Sequence, residues 1–281
     1  MNIAIASGKG GTGKTTLSAT LAFYASQFQT TALLDCDVEE PDANLLLKIN
    51  VENRYPVNVL IPQVDMDACT GCGKCQKVCQ YNAIVLIKAR PLVLPELCHS
   101  CGGCYLACPE HAIKEITRPI GTIETGNSNN LFYAAGVLNI GEHITTPLID
   151  EVKKEHRHAT LRIIDAPPGS SCPVIHAMEH SDFVILVAEP TPFGFHDVVL
   201  AYQVAKSLSI PCGIVINNMV EEYEPLRNFI HNENIPLLAT IPHDINIARS
   251  TTQDNLIDYM ISHYGQHIQN IYEYCTNRVI L

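Results

Sequence analysis

Gly8-Lys9-Gly10-Gly11-Thr12-Gly13-Lys14-Thr15-Thr16 is the stretch from which the rest of the chain can be read. It follows a short apolar run, residues 2–7, in which Ile and Ala alternate, and it precedes an amphipathic stretch expected to be helical to about Phe28. Strand, glycine loop and helix in that order make a phosphate cradle. Glycines let successive backbone N–H groups turn inward at a helix N-terminus. Lys14 is then placed to reach the β- and γ-phosphates and the Thr15 hydroxyl to ligate Mg2+. Gly8, Gly10, Gly11, Thr12, Gly13 and Thr16 complete the expected nucleotide contacts.

The loop holds a second lysine, Lys9. This deviant Walker A pattern resembles the MinD/Mrp/nitrogenase-iron-protein class of P-loop ATPases. The resemblance implies Mg2+-dependent ATP hydrolysis to ADP, in a homodimer or a heterodimer with a paralogue. It also implies that Lys9 crosses the dimer interface to the partner's nucleotide; the alternative is a solvated surface lysine. Further along, Thr31-Ala32-Leu33-Leu34 reads as a buried strand ending in Asp35-Cys36-Asp37. An aspartate just past a strand's C-terminal end faces the ligand crevice of an open α/β sheet. By resemblance Asp37 is the switch-I carboxylate that positions the attacking water, with Asp35 in support and Pro41, Asp42 and Asn44 continuing a switch-like loop. Asp165, closing the strand Leu161–Asp165, takes the place of the switch-II carboxylate that holds Mg2+ through water. Gly169 then senses the γ-phosphate through its N–H, Asn217 recognises adenine and Pro242 walls the base. An isolated aspartate also serves as a helix N-cap or turn residue, which is the competing use at each position.

Runs at 183–189, 212–217 and 237–241 read as further strands, alternating with helical stretches near 173–180, 195–208 and 225–233 and a closing helix at 251–276. The alternation predicts an α/β fold with a doubly wound, mostly parallel sheet. Asn127-Ser128-Asn129-Asn130, with Gly121, Gly126, Gly136 and Gly141, reads as a loop-rich return to that sheet.

Between the two switch segments lie eight of the twelve cysteines: Cys69, Cys72, Cys75, Cys79 and, 29 residues on, Cys98, Cys101, Cys104, Cys108. Each run is C-x2-C-x2-C-x3-C, so one small unit is repeated. Three cysteines at this spacing can wrap three corners of a cubane [4Fe–4S] cluster. Zinc favours separated pairs, and disulfides an oxidising compartment. The runs resemble bacterial two-cluster ferredoxins, apart from Gln80 where proline is usual. The fourth cysteine of each run then ligates the other cluster, giving the sets Cys69, Cys72, Cys75 with Cys108 and Cys98, Cys101, Cys104 with Cys79. The expected organisation is an ATPase domain from 1–61 and 119–281 with an inserted α+β ferredoxin-like domain at 62–118.

Four cysteines remain. Cys36 and Cys172 flank the switch carboxylates and are read either as small core residues or as ligands of a cluster bridging a dimer. Cys212 and Cys275 read as core. His99 and His111 tune the second cluster's hydrogen bonding or face solvent, and His156 and His158 read as a solvated helix end.

The chain has 281 residues, 47% hydrophobic and 17% charged, with a net charge of −11. No basic face is visible to displace counterions, so nucleic acid is not an expected partner. The longest apolar run is of strand length, and no targeting segment or membrane insertion is expected. A cytoplasmic, anaerobic setting follows. The leading expectation is an ATPase that couples nucleotide state to electron transfer, delivering to a redox partner. The alternatives are a cofactor carrier that loads an apo-acceptor protein and a nucleotide-switched interaction protein.

Overall fold

Ile3, Ala4, Ile5 and Ala6 are all fully buried, so the first strand is covered on both faces, as a central parallel strand must be. The computed structural model describes residues 1–279. In chain order the elements are β1 (Asn2–Ala6), α1 (Lys14–Ser26), β2 (Thr31–Asp35), α2 (Ala43–Leu47), β3 (Asn53–Val64), α3 (Lys74–Val78), β4 (Ile84–Ile87), β5 (Arg90–Val93), α4 (Gly103–Ala107), β6 (Ile113–Ser128) and β7 (Leu131–Leu138). There follow α5 (Thr146–Val152), β8 (Leu161–Asp165), α6 (Cys172–Met178), β9 (Phe183–Ala188), α7 (Pro192–Ser207), β10 (Cys212–Met219), α8 (Glu224–Asn232), β11 (Leu237–Pro242), α9 (Ile245–Thr252) and α10 (Leu256–Val279).

The large sheet runs β11-β10-β9-β1-β8-β2-β7-β6-β3. Every pairing from β11 to β7 is parallel. The order reverses at β1, and the loop that follows β1 opens at that switch point, where ligands of open α/β sheets bind. Ile3, Ile5, Leu33, Ile163, Ile185 and Val215 form one core with Leu17, Leu21, Ile268 and Ile271 of α1 and α10. The intervening residues Ala4, Ala32, Leu34, Val184, Leu186 and Ile214 are equally buried on the other face.

Two expectations are corrected. The segment 127–130 is not a loop-rich return. It closes a hairpin between β6 and β7, whose two-residue turn Asn129-Asn130 places Asn129 at φ +55; asparagine tolerates that conformation, and it matches strand twist. Gly121, Gly126 and Gly136 lie within those strands. The closing helix is two helices, broken at residues 253–255, where Asp254 has φ +54.

The chain divides into two compact units. The first comprises Met1–Tyr55, Ile123–Val137 and Ile149–Leu281, and the second Pro56–Thr122 and Leu138–Leu148. The second unit contains the β4–β5 hairpin, paired from Ile84↔Val93 to Ile87↔Arg90, and a small core of Cys75, Ile84 and Ile113.

Candidate functional site

The loop between β1 and α1 is shaped by close approach. Gly13 has φ +87, and a Cβ there would lie 2.3 Å from the Asn217 amide nitrogen. Asn217 uses that amide to donate to the Thr12 carbonyl at 2.7 Å, so the end of β10 braces the loop. Gly10–Thr16, Asp37, Glu39, Glu40, Asp42 and Pro168 line an open cleft of about 1250 Å3.

Carboxylates from two strand ends, β2 and β8, converge on Lys14. Its Nζ lies 3.1 Å from Asp165 Oδ1 and 3.9 Å from Asp37 Oδ2. Ser18, one turn along α1, donates to the same Asp165 oxygen at 3.0 Å. Burial pulls the ammonium's pKa down, but Asp165, Asp37 and Asp35 outweigh it and the net shift is upward. Burial raises the Asp37 carboxyl, which Lys14 partly offsets, leaving it at about 6. Asp35 is raised far above its ordinary value by burial and then by Asp165. Its role is more local than sequence suggests: it accepts the backbone N–H groups of Asp37, Asp42 and Ala43 at 3.1–3.2 Å, folding the segment after β2 around itself. Asp165 Oδ2 and Thr12 Oγ1 are buried without a partner. Two orphaned oxygens at the cleft fit a hydrated cation and a phosphate, because buried polar atoms are otherwise paired.

Other expected residues sit differently. Lys9 is held within its own chain by Glu189 Oε2 at 2.5 Å. The Gly169 N–H, expected to face phosphate, donates to the Ser7 carbonyl at 3.0 Å. Pro242 does not line the recess of about 350 Å3 that shares Gly13 and Thr16 with the cleft; its neighbour Ile241 does, with Ile247, Met260 and Asn217. Ile247 and Met260 carry no sequence signal. Ser18 could have been found, because it stands four residues after Lys14 on one helix face. Cys36 is fully buried and its thiol is pushed upward by burial, whereas Cys172 is exposed. Cys275 is buried and Cys212 half-buried. His156 is half-buried against the Tyr133 carbonyl at 2.9 Å and is not a solvated helix end.

In the second unit the repeat is structural. Gly73 (φ +76) and Gly102 (φ +70) start α3 and α4, and Cys79 and Cys108 end them. Ala83 N–H donates to Cys79 Sγ and Ala112 N–H to Cys108 Sγ, both at 3.3 Å. Two recesses result. Cys69, Cys72, Cys75 and Cys108 line one of about 370 Å3. Cys79, Cys98, Cys101 and Cys104 line another of about 410 Å3. Each takes its fourth cysteine from the other run. No cysteine among the described residues is in a disulfide, and no three His, Cys, Asp or Glu side chains among them converge as a single bound ion requires. Four sulfurs spread around each recess, with a backbone N–H donor already aimed at one of them, fit a cubane better than a lone zinc with its bonds of about 2.3 Å.

Comparison with known proteins agrees with the nucleotide half of this geometry. Uncharacterized protein MJ0578 of Methanocaldococcus jannaschii is 33% identical over 281 residues, covering 97% of this chain and 95% of its own. Uncharacterized protein MJ0579 of the same organism is 33% identical over 222 residues, covering 77% and 80%. Among solved structures, the septum site-determining protein MinD from Pyrococcus horikoshii, complexed with Mg-ADP, superposes with a TM-score of 0.59 at 19% identity, covering 97% of this chain and 94% of that one. That likeness is one of fold. Residues 3–257 match the CobQ/CobB/MinD/ParA nucleotide binding domain, and the chain belongs to that family.

Proposed function

We propose that the protein is a Mg2+-dependent ATPase that couples its nucleotide state to one-electron transfer through two [4Fe–4S] clusters. The observation that carries this reading is the crossed lining of two recesses by eight cysteines in a chain that also carries the phosphate loop. Cys69, Cys72, Cys75 and Cys108 hold one cluster, and Cys79, Cys98, Cys101 and Cys104 the other. Such clusters supply reversible one-electron redox chemistry.

The chain's own groups do the rest. Loop N–H groups and Lys14 bind the phosphates, and the Thr15 hydroxyl and Asp165 hold hydrated Mg2+. Lys14 is pinned by Asp165 and Asp37; with Mg2+ taking up their charge, it turns to phosphate. Asp37 orients the attacking water, since phosphoryl transfer depends mainly on position and electrostatics. Asn217 and the Ile241–Met260 recess receive the base. In chain order the inserted segment lies between the Asp37 loop and Asp165, its ends running into β3 and β6 of the large sheet. ATP binding closes a dimer in which Lys9 leaves Glu189 for the partner's nucleotide, and a redox partner takes the electron. A carrier role is the second reading, favoured by the exposed Cys172 at the start of α6.

The test is anaerobic purification with iron and acid-labile sulfide counts, then EPR of the reduced protein with and without ATP. The reading expects eight irons and eight sulfides per chain and a spectrum that responds to ATP. Zinc at the cysteines, or a spectrum blind to nucleotide, overturns it. Cluster loss to an apo-acceptor that depends on Cys172 selects the carrier.

A further inference from the structure

The two cysteine recesses come from one repeated sequence, and one of the matched positions at which the repeats differ is the residue just before the second cysteine. Gly71 in Cys69-Thr70-Gly71-Cys72 corresponds to Ser100 in Cys98-His99-Ser100-Cys101. Both have left-handed backbone, φ +71 and φ +54. Glycine adopts that conformation freely, whereas serine is strained in it. A side chain is not tolerated at Gly71, because its Cβ would lie 2.4 Å from the Ala89 carbonyl oxygen. Ser100 lines the second recess, and its Oγ is buried with no partner.

Among the described residues of this unit, the buried side-chain donors left unpaired are Ser100 Oγ, Arg118 Nε and Arg118 Nη2. Ser100 lines the second recess, whereas Arg118 lines neither and pairs with Glu142 through Nη1. Exposed Lys74 at the first and exposed Glu115 at the second act in the opposite sense, but through water, where a charge is worth little.

We propose that Ser100 makes the site of Cys79, Cys98, Cys101 and Cys104 the higher-potential one of the two. An electron delivered to this unit by a low-potential one-electron donor comes to rest there. Donors and positive charge beside the sulfurs stabilise the more negative, reduced state. The inference rests on the two-cluster reading above.

The full chain, purified anaerobically and assayed for iron and sulfide, is titrated with dithionite under EPR. Two one-electron waves are expected. Ser100→Gly installs the residue of the first repeat and relieves the left-handed strain. It lowers the upper potential by about a tenfold change in the reduction equilibrium, about 59 mV for one electron, and leaves the lower wave in place. Ser100→Ala, which removes the hydroxyl and leaves the left-handed backbone strain in place, shifts the same wave downward. Full iron content with both waves unmoved in Ser100→Gly overturns the assignment, as does movement of the lower wave alone. A wild-type chain without labile sulfide overturns the two-cluster reading itself, one step earlier.

Discussion

The two units solve the problem of staying folded differently. The nucleotide-binding unit is held by a sheet buried on both faces, with Phe183, Ile3, Ile5, Leu21 and Leu33 almost wholly excluded from water. Around the cysteines of the second unit the buried cluster is small, Cys75, Ile84 and Ile113, although Val57, Val59, Ile61 and Ile120 are buried elsewhere in that unit. Leu97, Tyr105 and Leu106, beside its cysteines, are 46%, 46% and 81% exposed. The cysteine loops of that unit therefore draw little support from apolar burial. Charge divides the same way. The second unit carries 6 Lys and Arg against 6 Asp and Glu, so the whole net charge of −11 belongs to the first. The first unit's fold is written in its apolar residues, while on the proposed function the second also leans on the clusters its cysteines hold.

The sharpest way to break that contrast is to remove the iron. Anaerobic chelation is expected to lower hydrogen-exchange protection at the Ala83 and Ala112 amides, which bond cysteine sulfurs, by about a hundredfold or more, because ligation free energy is folding free energy there. Amides of β1 keep their protection. Equal loss in both units, or none in either, would end the distinction. Lys14→Ala tests the other side. Taking the one ammonium from among Asp35, Asp37 and Asp165 is expected to cut ATP turnover by about 10²–10³-fold and to leave iron and sulfide counts unchanged. Turnover near wild type would remove the phosphate assignment of the loop.

The parallel strands were readable because burial on both faces leaves unbroken apolar runs such as Phe183–Ala188. The β6–β7 hairpin was not, because its tip is four polar residues and its strands carry glycines, the composition of a loop. At the site, glycine spacing and strand-end aspartates marked the cleft, where Lys14, Asp37 and Asp165 do meet. The Lys9–Glu189 pair and the Ile247–Met260 wall join residues that meet only through topology. The spacing of the cysteines suggests clusters, but the exchange of fourth cysteines came from resemblance, since either pairing satisfies the spacing. Ser100 passed as an ordinary loop residue because the left-handed backbone it shares with Gly71 and its unpaired hydroxyl show only in the fold.

The smallest effect is one of pH, and it belongs to the nucleotide unit alone. Asp37, raised from 3.8 to about 6 chiefly by burial, is charged in the unfolded chain at a pH where the folded one still holds its proton. Stability from this group is therefore full below about pH 4 and is lost as pH rises toward 6. Asp35 and Asp42 are shifted in the same direction, again first by burial. On the proposed function the charge of Asp37, beside Lys14 and Asp165, is taken up when Mg2+-nucleotide binds, so Asp37 gives up its proton on binding and affinity should move oppositely, weakening by about tenfold for each pH unit below 6. Calorimetric titration with Mg-ADP at pH 5, 6 and 7, in buffers of different ionisation enthalpy, reads both the affinity and the released proton. Asp37→Asn should flatten the profile. If affinity and unliganded stability instead rise together across this window, the buried carboxylates answer to one another and not to the metal.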